Sequence, residues 1–212
     1  MSITKKYGFK VCMGQFRNEV PEHYEDPSEE KLIRFFEKKV LELQALNKSL
    51  YTMIELGANH SYYSLLFKHI LGKDKTLNIM IEPFIEHMKV GQKHFEMNSC
   101  EGVFYNCGVG KQWNTGSQVF DCESITLEQL IKENNINDLD ILHCDIDGWE
   151  KVLIKDDEDF FKQGKAKLVF LLTHNTTELL KDFFNTTPYT LIYEVGAGEI
   201  GGDGLLVYER KY

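Results

Sequence analysis

Residues 51–64, which read YTMIELGANHSYYS, decide the fold of this chain. Residues 51–56 are a short apolar run typical of a buried strand, and Gly57 follows before a helix-forming run over residues 62–70. A strand that passes through a glycine turn into a helix leaves backbone N–H groups beside its carboxyl end, where a nucleotide-like ligand can bind. Glu55 adds a carboxylate at that end. An ordinary strand-to-helix turn with a solvated Glu55 explains this stretch equally well.

The composition is that of a globular protein. The 212 residues are 42% hydrophobic and 27% charged, which suits one domain with a core of ordinary size. We expect a single domain over residues 1–212, in which residues 1–50 form an N-terminal segment and a helix before the ligand-binding core. The 5 cysteines show no CxxC spacing, so we expect reduced thiols instead of a disulfide framework or a zinc site.

The charge and the apolar runs restrict the partners and the location. The net charge of −9 argues against a general nucleic-acid binder, because phosphate contacts need clustered Lys and Arg. Residues 1–10 carry charge without an apolar signal region, and no apolar run approaches the ~18 residues that a membrane span needs. We therefore expect a cytoplasmic protein without a membrane span.

Helical and strand patterns alternate along the chain. Asp26, Pro27 and Glu29 form a helix start, and apolar residues follow at helical spacing: Leu32, Phe36, Val40, Leu43, Leu46 and Leu50. Thr126 and Gln129 form a capping box for a later helix. Buried strands are predicted at residues 51–56, 76–82, 102–107, 139–144 and 168–173, and closing strands at 189–194 and 205–209.

This order of elements predicts the fold class. No helix between the two closing strands is long enough for a parallel crossover, so the last strand is expected to be antiparallel. The result is an α/β fold with a Rossmann-like, doubly wound, mostly parallel sheet, an antiparallel edge strand and three α/β/α layers. The glycine-rich residues 196–204 are expected to form a lid or a simple hairpin connection, and residues 113–120 a hairpin arm.

Polar residues stand at the ends of the five predicted parallel strands. They are Glu55, Glu82, Asn106, Asp145 and His174, and we expect them to converge on one crevice at the carboxyl edge of the sheet. Glu82 has the separation from the first strand at which a carboxylate binds a ribose diol, and the Asn106 amide can meet a flat base. Taken singly, Glu82 is equally well a solvated acid; the joint placement with Glu55 favours a nucleoside ligand.

The turn itself argues against a dinucleotide. It reads Gly57-Ala58-Asn59-His60-Ser61 and lacks the G-x-G-x-x-G of nicotinamide-binding folds, so it offers little backbone to a pyrophosphate. A ligand with one nucleoside and no pyrophosphate, such as S-adenosylmethionine (SAM), fits better. A nicotinamide-dependent oxidoreductase is therefore the disfavoured alternative.

Four blocks resemble the FkbM family of class I SAM-dependent methyltransferases, in order along residues 50–175. They are residues 54–64 (IELGANHSYYS), 81–83 (IEP), 105–110 (YNCGVG) and 145–150 (DIDGWE). The resemblance implies a Rossmann-like methyltransferase with SAM as cofactor, bound by Glu55, Gly57, Asn59, Ser61, Glu82 and Asn106.

Some residues depart from the family pattern. Ser61 stands where the family has the last glycine of the turn. A serine can fit this position if its φ is negative, but its Cβ narrows the approach to the methionine moiety. His60 replaces an aliphatic residue, His143 a common Lys, and Asp147 the usual Glu. His87 and His94 in the helix after Pro83 are expected to be solvated.

The resemblance further implies methyl transfer to a hydroxyl on a small molecule, sugar or glycan, and the net charge argues against nucleic acid as the partner. A hydroxyl needs a base, and Asp145 and His174 are the catalytic candidates. A magnesium ion held by Asp145, His174 and Asn175 is a weaker possibility, because some O-methyltransferases place ligands at these strand ends. The alternative function is a non-catalytic module that binds SAM or a nucleoside.

Overall fold

The computed structural model describes residues 8–11, 27–110, 123–200 and 203–211. The chain divides into two compact units, Met1–Tyr105 and Asn106–Tyr212. The prediction of a single domain stays a prediction. Within the described ranges no helix combines the length and the apolar character that crossing a membrane requires, and the cytoplasmic location also stays a prediction.

The first unit begins with helix α1, Pro27–Gln44. Its apolar face is buried as the spacing predicts, through Leu32, Phe36, Val40 and Leu43. The predicted continuation of this face is wrong, because the helix ends at Gln44 and leaves Leu46 58% and Leu50 47% exposed. The predicted cap Asp26 lies outside the described residues.

Three parallel strands form the sheet of the first unit. In chain order the further elements are β1 (Tyr51–Leu56), α2 (Tyr62–Leu71), a 3-10 turn (Lys73–Lys75), β2 (Thr76–Ile81), α3 (Ile85–Met97) and β3 (Val103–Tyr105). Strand β2 pairs with β1 and with β3, and Leu56, Ile81 and Tyr105 lie level at the carboxyl ends. Every residue of β1 is buried, as expected where helices cover both faces of a parallel sheet. The third strand is shorter than the predicted 102–107.

The second unit contains the remaining elements. They are β4 (Gly108–Val109), β5 (Ser124–Ile125), α4 (Leu127–Glu133), β6 (Leu139–Cys144), α5 (Glu150–Asp156), α6 (Glu158–Lys162), β7 (Ala166–Thr173), α7 (Thr177–Phe184), β8 (Tyr189–Ile200) and β9 (Asp203–Arg210). The capping box of Thr126 and Gln129 at the start of α4 is confirmed. The predicted arm at residues 113–120 lies outside the described residues.

Strand pairing in the second unit changes direction near its end. Strands β6 and β7 are parallel, whereas β9 is antiparallel to both β7 and β8. The predicted α/β class, mostly parallel with an antiparallel edge, is confirmed. Of the two alternatives for the glycine-rich stretch, the structure agrees with the hairpin, because β8 runs to Ile200 and Ile200 pairs with Asp203 of β9.

Candidate active site

The turn after β1 has an unusual backbone conformation. Gly57, Asn59 and Ser61 all have positive φ, at 68°, 46° and 59°. Ser61 therefore does not meet the condition of a negative φ, and it adopts the left-handed conformation that favours glycine. Left-handed backbone costs a residue with a Cβ roughly 1–2 kcal/mol, so the surrounding structure must hold Ser61 in place.

Gly91 in helix α3 makes room for this serine. Ser61 is 1% exposed, and a Cβ added at Gly91 would lie 2.5 Å from the Ser61 Oγ and 3.3 Å from its Cβ. The helix therefore packs directly on the turn at a position where the side chain of Ser61 occupies the space beside a glycine.

Glu82 fastens the turn to the end of β2. Its side chain is buried; Oε2 accepts a hydrogen bond from the Asn59 N–H at 2.8 Å and Oε1 accepts one from the Phe84 N–H at 2.9 Å. The turn is also tied to β2 by the Ala58 N–H, which donates to the Ile81 carbonyl at 2.9 Å. A carboxylate can accept about four hydrogen bonds, so these two are compatible with the predicted ribose contact.

Glu55 caps helix α2. It is 2% exposed, and its Oε2 accepts a hydrogen bond from the Ser64 N–H at 3.2 Å. The side chain of Ser61, the residue at the cap position, makes no capping hydrogen bond. The burial of the Glu55 carboxylate is thus explained by its role as acceptor for an N–H group at the start of helix α2, where such groups have no partner within the helix. A contact between Glu55 and a cofactor stays a prediction.

The histidines near the turn differ in burial. His94 is 1% exposed and its Nδ1 lies 2.8 Å from the His60 carbonyl oxygen, so the prediction of a solvated His94 is wrong. The side chain of His87 is 46% exposed, with its Nδ1 3.9 Å from the Glu82 Oε1. One of the two histidines therefore supports the turn from inside the unit.

The second unit brings the predicted catalytic pair together. Asp145 follows β6 and His174 follows β7, and these strands are neighbours in parallel pairing. The His174 Nε2 lies 3.4 Å from the Asp145 Oδ1 and 3.6 Å from an Asp147 carboxylate oxygen. Asn106 and Asn175 are exposed.

Glu150 is a residue that the prediction missed. It has 0% exposure, and its Oε1 lies 2.9 Å from the His174 Nδ1 and accepts a hydrogen bond from the Gly148 N–H at 3.3 Å. The Thr176 hydroxyl donates to its Oε2 at 3.2 Å. The only sequence signal was its place as the last acid of the DIDGWE block, which does not tell a buried acid from a solvated one.

Asp147 lies close to two of the predicted magnesium ligands, Asp145 and His174. Asp145, Asp147 and His174 each offer a ligand atom, and these atoms all lie within 4.8 Å of one another. Carboxylate oxygens suit magnesium, and imidazole suits transition metals better. The magnesium ion stays a prediction.

His143 belongs to the core. It is 3% exposed, its ring stacks on that of Phe170 with centroids 6.3 Å apart, and burial lowers its pKa to about 3. His143 is therefore a buried core residue at the position where the resembling family commonly has a lysine.

The predicted site residues thus form two groups. Glu55, Gly57, Asn59, Ser61 and Glu82 lie in the first unit, and Asn106, Asp145, His174 and Asn175 in the second. Within the first group the backbone and side-chain hydrogen bonds join the turn to Glu82. The convergence of both groups on one crevice stays a prediction.

No protein-family model matches this chain, and no curated protein matches it. Solved methyltransferase structures do. The METTL16 MTase domain matches with TM-score 0.64 and 14% identity over 99% of this chain and 76% of that chain. Methyltransferase FkbM from Methylobacillus flagellatus KT has TM-score 0.56 and 20% identity over 76% of this chain and 44% of that one. M. capricolum TrmK, in complex with the cofactor product S-adenosylhomocysteine (SAH), has TM-score 0.54 and 14% identity over 84% and 68%.

The comparisons correct the predicted partners. The hMettl16 catalytic domain in complex with the MAT2A 3′UTR hairpin 6 matches with TM-score 0.60 and 10% identity over 99% of this chain and 77% of that chain. The prediction of a small-molecule or carbohydrate acceptor with nucleic acid excluded is therefore wrong. The acceptor class relied on the family resemblance. The exclusion of nucleic acid relied on net charge, which sums over the whole surface, whereas binding depends on where the charges lie.

At these identities the likenesses show the fold alone, and the FkbM family stays a resemblance. This chain has the fold of SAM-dependent methyltransferases.

Proposed function

We propose that this chain is a SAM-dependent methyltransferase that methylates a hydroxyl oxygen. The observation that carries the proposal is the hydrogen bond between the Asn59 N–H and the Glu82 Oε2, at 2.8 Å. It holds a carboxylate against the glycine turn at the carboxyl end of β2, where an acid meets the ribose of a bound nucleoside in folds of this class. The resemblance to the FkbM family and the likeness to TrmK in complex with SAH support the same cofactor.

The cofactor contacts follow from the donor chemistry of the turn. In this proposal Glu82 accepts from the ribose hydroxyls, and the backbone of the turn lines the methionine moiety. SAM supplies an electrophilic methyl group on a sulfonium. The protein then has to align the acceptor and take up its proton.

A hydroxyl acceptor is favoured because the second unit carries groups that can accept its proton. Asp145 and His174 stand at neighbouring strand ends, with 3.4 Å between the Oδ1 and the Nε2. An imidazole changes its protonation near neutral pH and suits this role. RNA is the first acceptor to test, because the hMettl16 catalytic domain has this fold and its structure is a complex with the MAT2A 3′UTR hairpin 6.

The second candidate function is a module that binds SAM without transferring its methyl group. It is favoured by the buried Ser61, whose Cβ stands in the turn where the resembling family has a glycine. Cofactor binding without methylation of any acceptor would support this candidate.

Calorimetric titration with SAM and with SAH tests the cofactor. We expect micromolar binding, and a loss of about 10- to 150-fold in Glu82→Gln, because a hydrogen bond to a charged group contributes about 1.5–3 kcal/mol. Glu86→Gln is the matched control, since the Glu86 side chain is 59% exposed on the next helix and its Oε1 lies 2.9 Å from the Lys89 Nζ. Equal melting temperatures of the two variants show that Glu82→Gln leaves the fold intact. Absence of SAM and SAH binding by the native chain would overturn the proposal.

Transfer is tested with SAM labelled in its methyl group. Label should enter an acceptor with the native chain and with Glu86→Gln. His174→Asn should bind SAM normally and lose the transfer, because it removes the proton acceptor without touching the turn.

A further inference from the structure

We propose that Glu150 is a positioning residue that orients His174 and sets its tautomer, so that the Nε2 is the atom that accepts the proton of the acceptor hydroxyl. The inference rests on the proposed function for the reaction step. Its structural part, the tautomer of His174, can be measured without any methyl transfer.

The geometry around Glu150 limits what its carboxylate can do. The side chain is fully buried, and its oxygens meet the Gly148 N–H at 3.3 Å, the Thr176 hydroxyl at 3.2 Å and the His174 Nδ1 at 2.9 Å. An ionised carboxylate accepts hydrogen bonds and donates none. The contact at 2.9 Å is therefore a hydrogen bond only when the Nδ1 of His174 carries the hydrogen.

The hydrogen on the Nδ1 determines the state of the other ring nitrogen, the Nε2. In a neutral imidazole one nitrogen is a donor and the other an acceptor, so a hydrogen on the Nδ1 leaves a lone pair on the Nε2. That nitrogen faces the Asp145 and Asp147 carboxylates at 3.4 and 3.6 Å.

This arrangement selects between the two catalytic candidates. The Asp145 side chain is 39% exposed, whereas that of His174 is 17% exposed and is held by a buried partner. In the reaction the acceptor oxygen forms a bond to the methyl carbon, the carbon–sulfur bond breaks and sulfur keeps its electron pair, and the hydroxyl proton goes to the Nε2. Glu150 acts only through His174 and contacts neither the acceptor nor the cofactor in this scheme.

Nitrogen-15 NMR of the histidine rings tests the tautomer in the native chain. His174 is assigned by the signal that disappears in His174→Asn. We expect the neutral ring to carry its hydrogen on the Nδ1. In Glu150→Gln the amide can donate to the Nδ1, and we expect the hydrogen to move to the Nε2. A hydrogen on the Nε2 of His174 in the native chain would overturn the proposal. This measurement does not depend on whether Glu150→Gln folds.

Steady-state kinetics test the catalytic consequence. Glu150→Gln should lower kcat by about 10²-fold or more, in the range of general-base catalysis, and leave the KM for SAM within about twofold. Glu158→Gln is the matched control, because Glu158 is half-exposed and pairs with Lys162 on the surface of α6. An unchanged kcat in a folded Glu150→Gln would refute the positioning role. If the chain shows the expected tautomer but binds no SAM, the proposed function is wrong and the orientation of His174 by Glu150 is still supported.

Discussion

The contact between Gly91 and Ser61 gives a quantitative prediction. Gly91→Ala should gain about 1 kcal/mol from helix propensity. Its new Cβ, however, would lie 2.5 Å from the Ser61 Oγ and 3.3 Å from the Ser61 Cβ. Overpacking of this kind costs about 1–3 kcal/mol, so the single variant should be less stable than the native chain by as much as about 2 kcal/mol.

Removing the Ser61 side chain should reverse the sign of the stability change caused by Gly91→Ala. In a Ser61→Gly background the next atom from the Gly91 Cβ is the Asn59 carbonyl oxygen at 3.4 Å, an ordinary contact. Gly91→Ala should then stabilise the chain by about 1 kcal/mol. Ser61→Gly alone should stabilise it slightly, because relief of the left-handed backbone, about 1–2 kcal/mol, exceeds the entropic cost of a glycine, about 0.5–1 kcal/mol.

Urea denaturation of the four chains measures this cycle. We expect a coupling free energy of about 1–3 kcal/mol between the two positions, well above the ~0.5 kcal/mol of independent sites. Lys93→Ala in the same helix is the control, because Lys93 is exposed and should not couple to Ser61. Additive effects of Gly91→Ala and Ser61→Gly would refute the reasoning. Calorimetry on Ser61→Gly should show SAM binding at least as tight as in the native chain, since the turn loses a Cβ.

Three further predictions concern stability and metal dependence. Burial lowers the pKa of His143 to about 3 and raises the pKa of Asp157 to about 6. Between about pH 4 and 6, His143 is therefore protonated in the unfolded chain and neutral in the folded chain, whereas Asp157 is ionised in the unfolded chain and protonated in the folded chain. Each group changes the free energy of unfolding by about 1.4 kcal/mol per pH unit, with opposite sign, so the two effects should cancel in the native chain. In urea denaturation His143→Phe should become less stable as pH rises through this window, and Asp157→Asn should become more stable. Profiles that do not change with pH in either variant would contradict this. Glu55→Ala should lower the free energy of unfolding by about 1–3 kcal/mol, because it leaves the buried Ser64 N–H without its 3.2 Å acceptor, and a change below about 0.5 kcal/mol would argue against the cap. Since His174 supplies the base in our proposal, methyl transfer should survive treatment with a chelator; a loss that added Mg²⁺ restores would show that a metal takes part.

Local patterns were sufficient for the elements and their order. The apolar run before Gly57, the capping box at Thr126 and the helical spacing of Leu32, Phe36 and Val40 each report on neighbours in sequence, and the structure confirms them. The end of α1 at Gln44 could not be read in this way, because exposed leucines continue the same spacing beyond it.

The sequence by itself determined the α/β class, the glycine turn after the first strand, and the placement of Asp145 and His174 at neighbouring strand ends. Tertiary structure alone decided how those residues are held. The left-handed Ser61 depends on a glycine in another helix, and the orientation of His174 depends on a buried carboxylate that follows a different strand. A sequence pattern carries the periodicity of one segment, whereas burial and hydrogen-bond partners are set by side chains that only folding brings together.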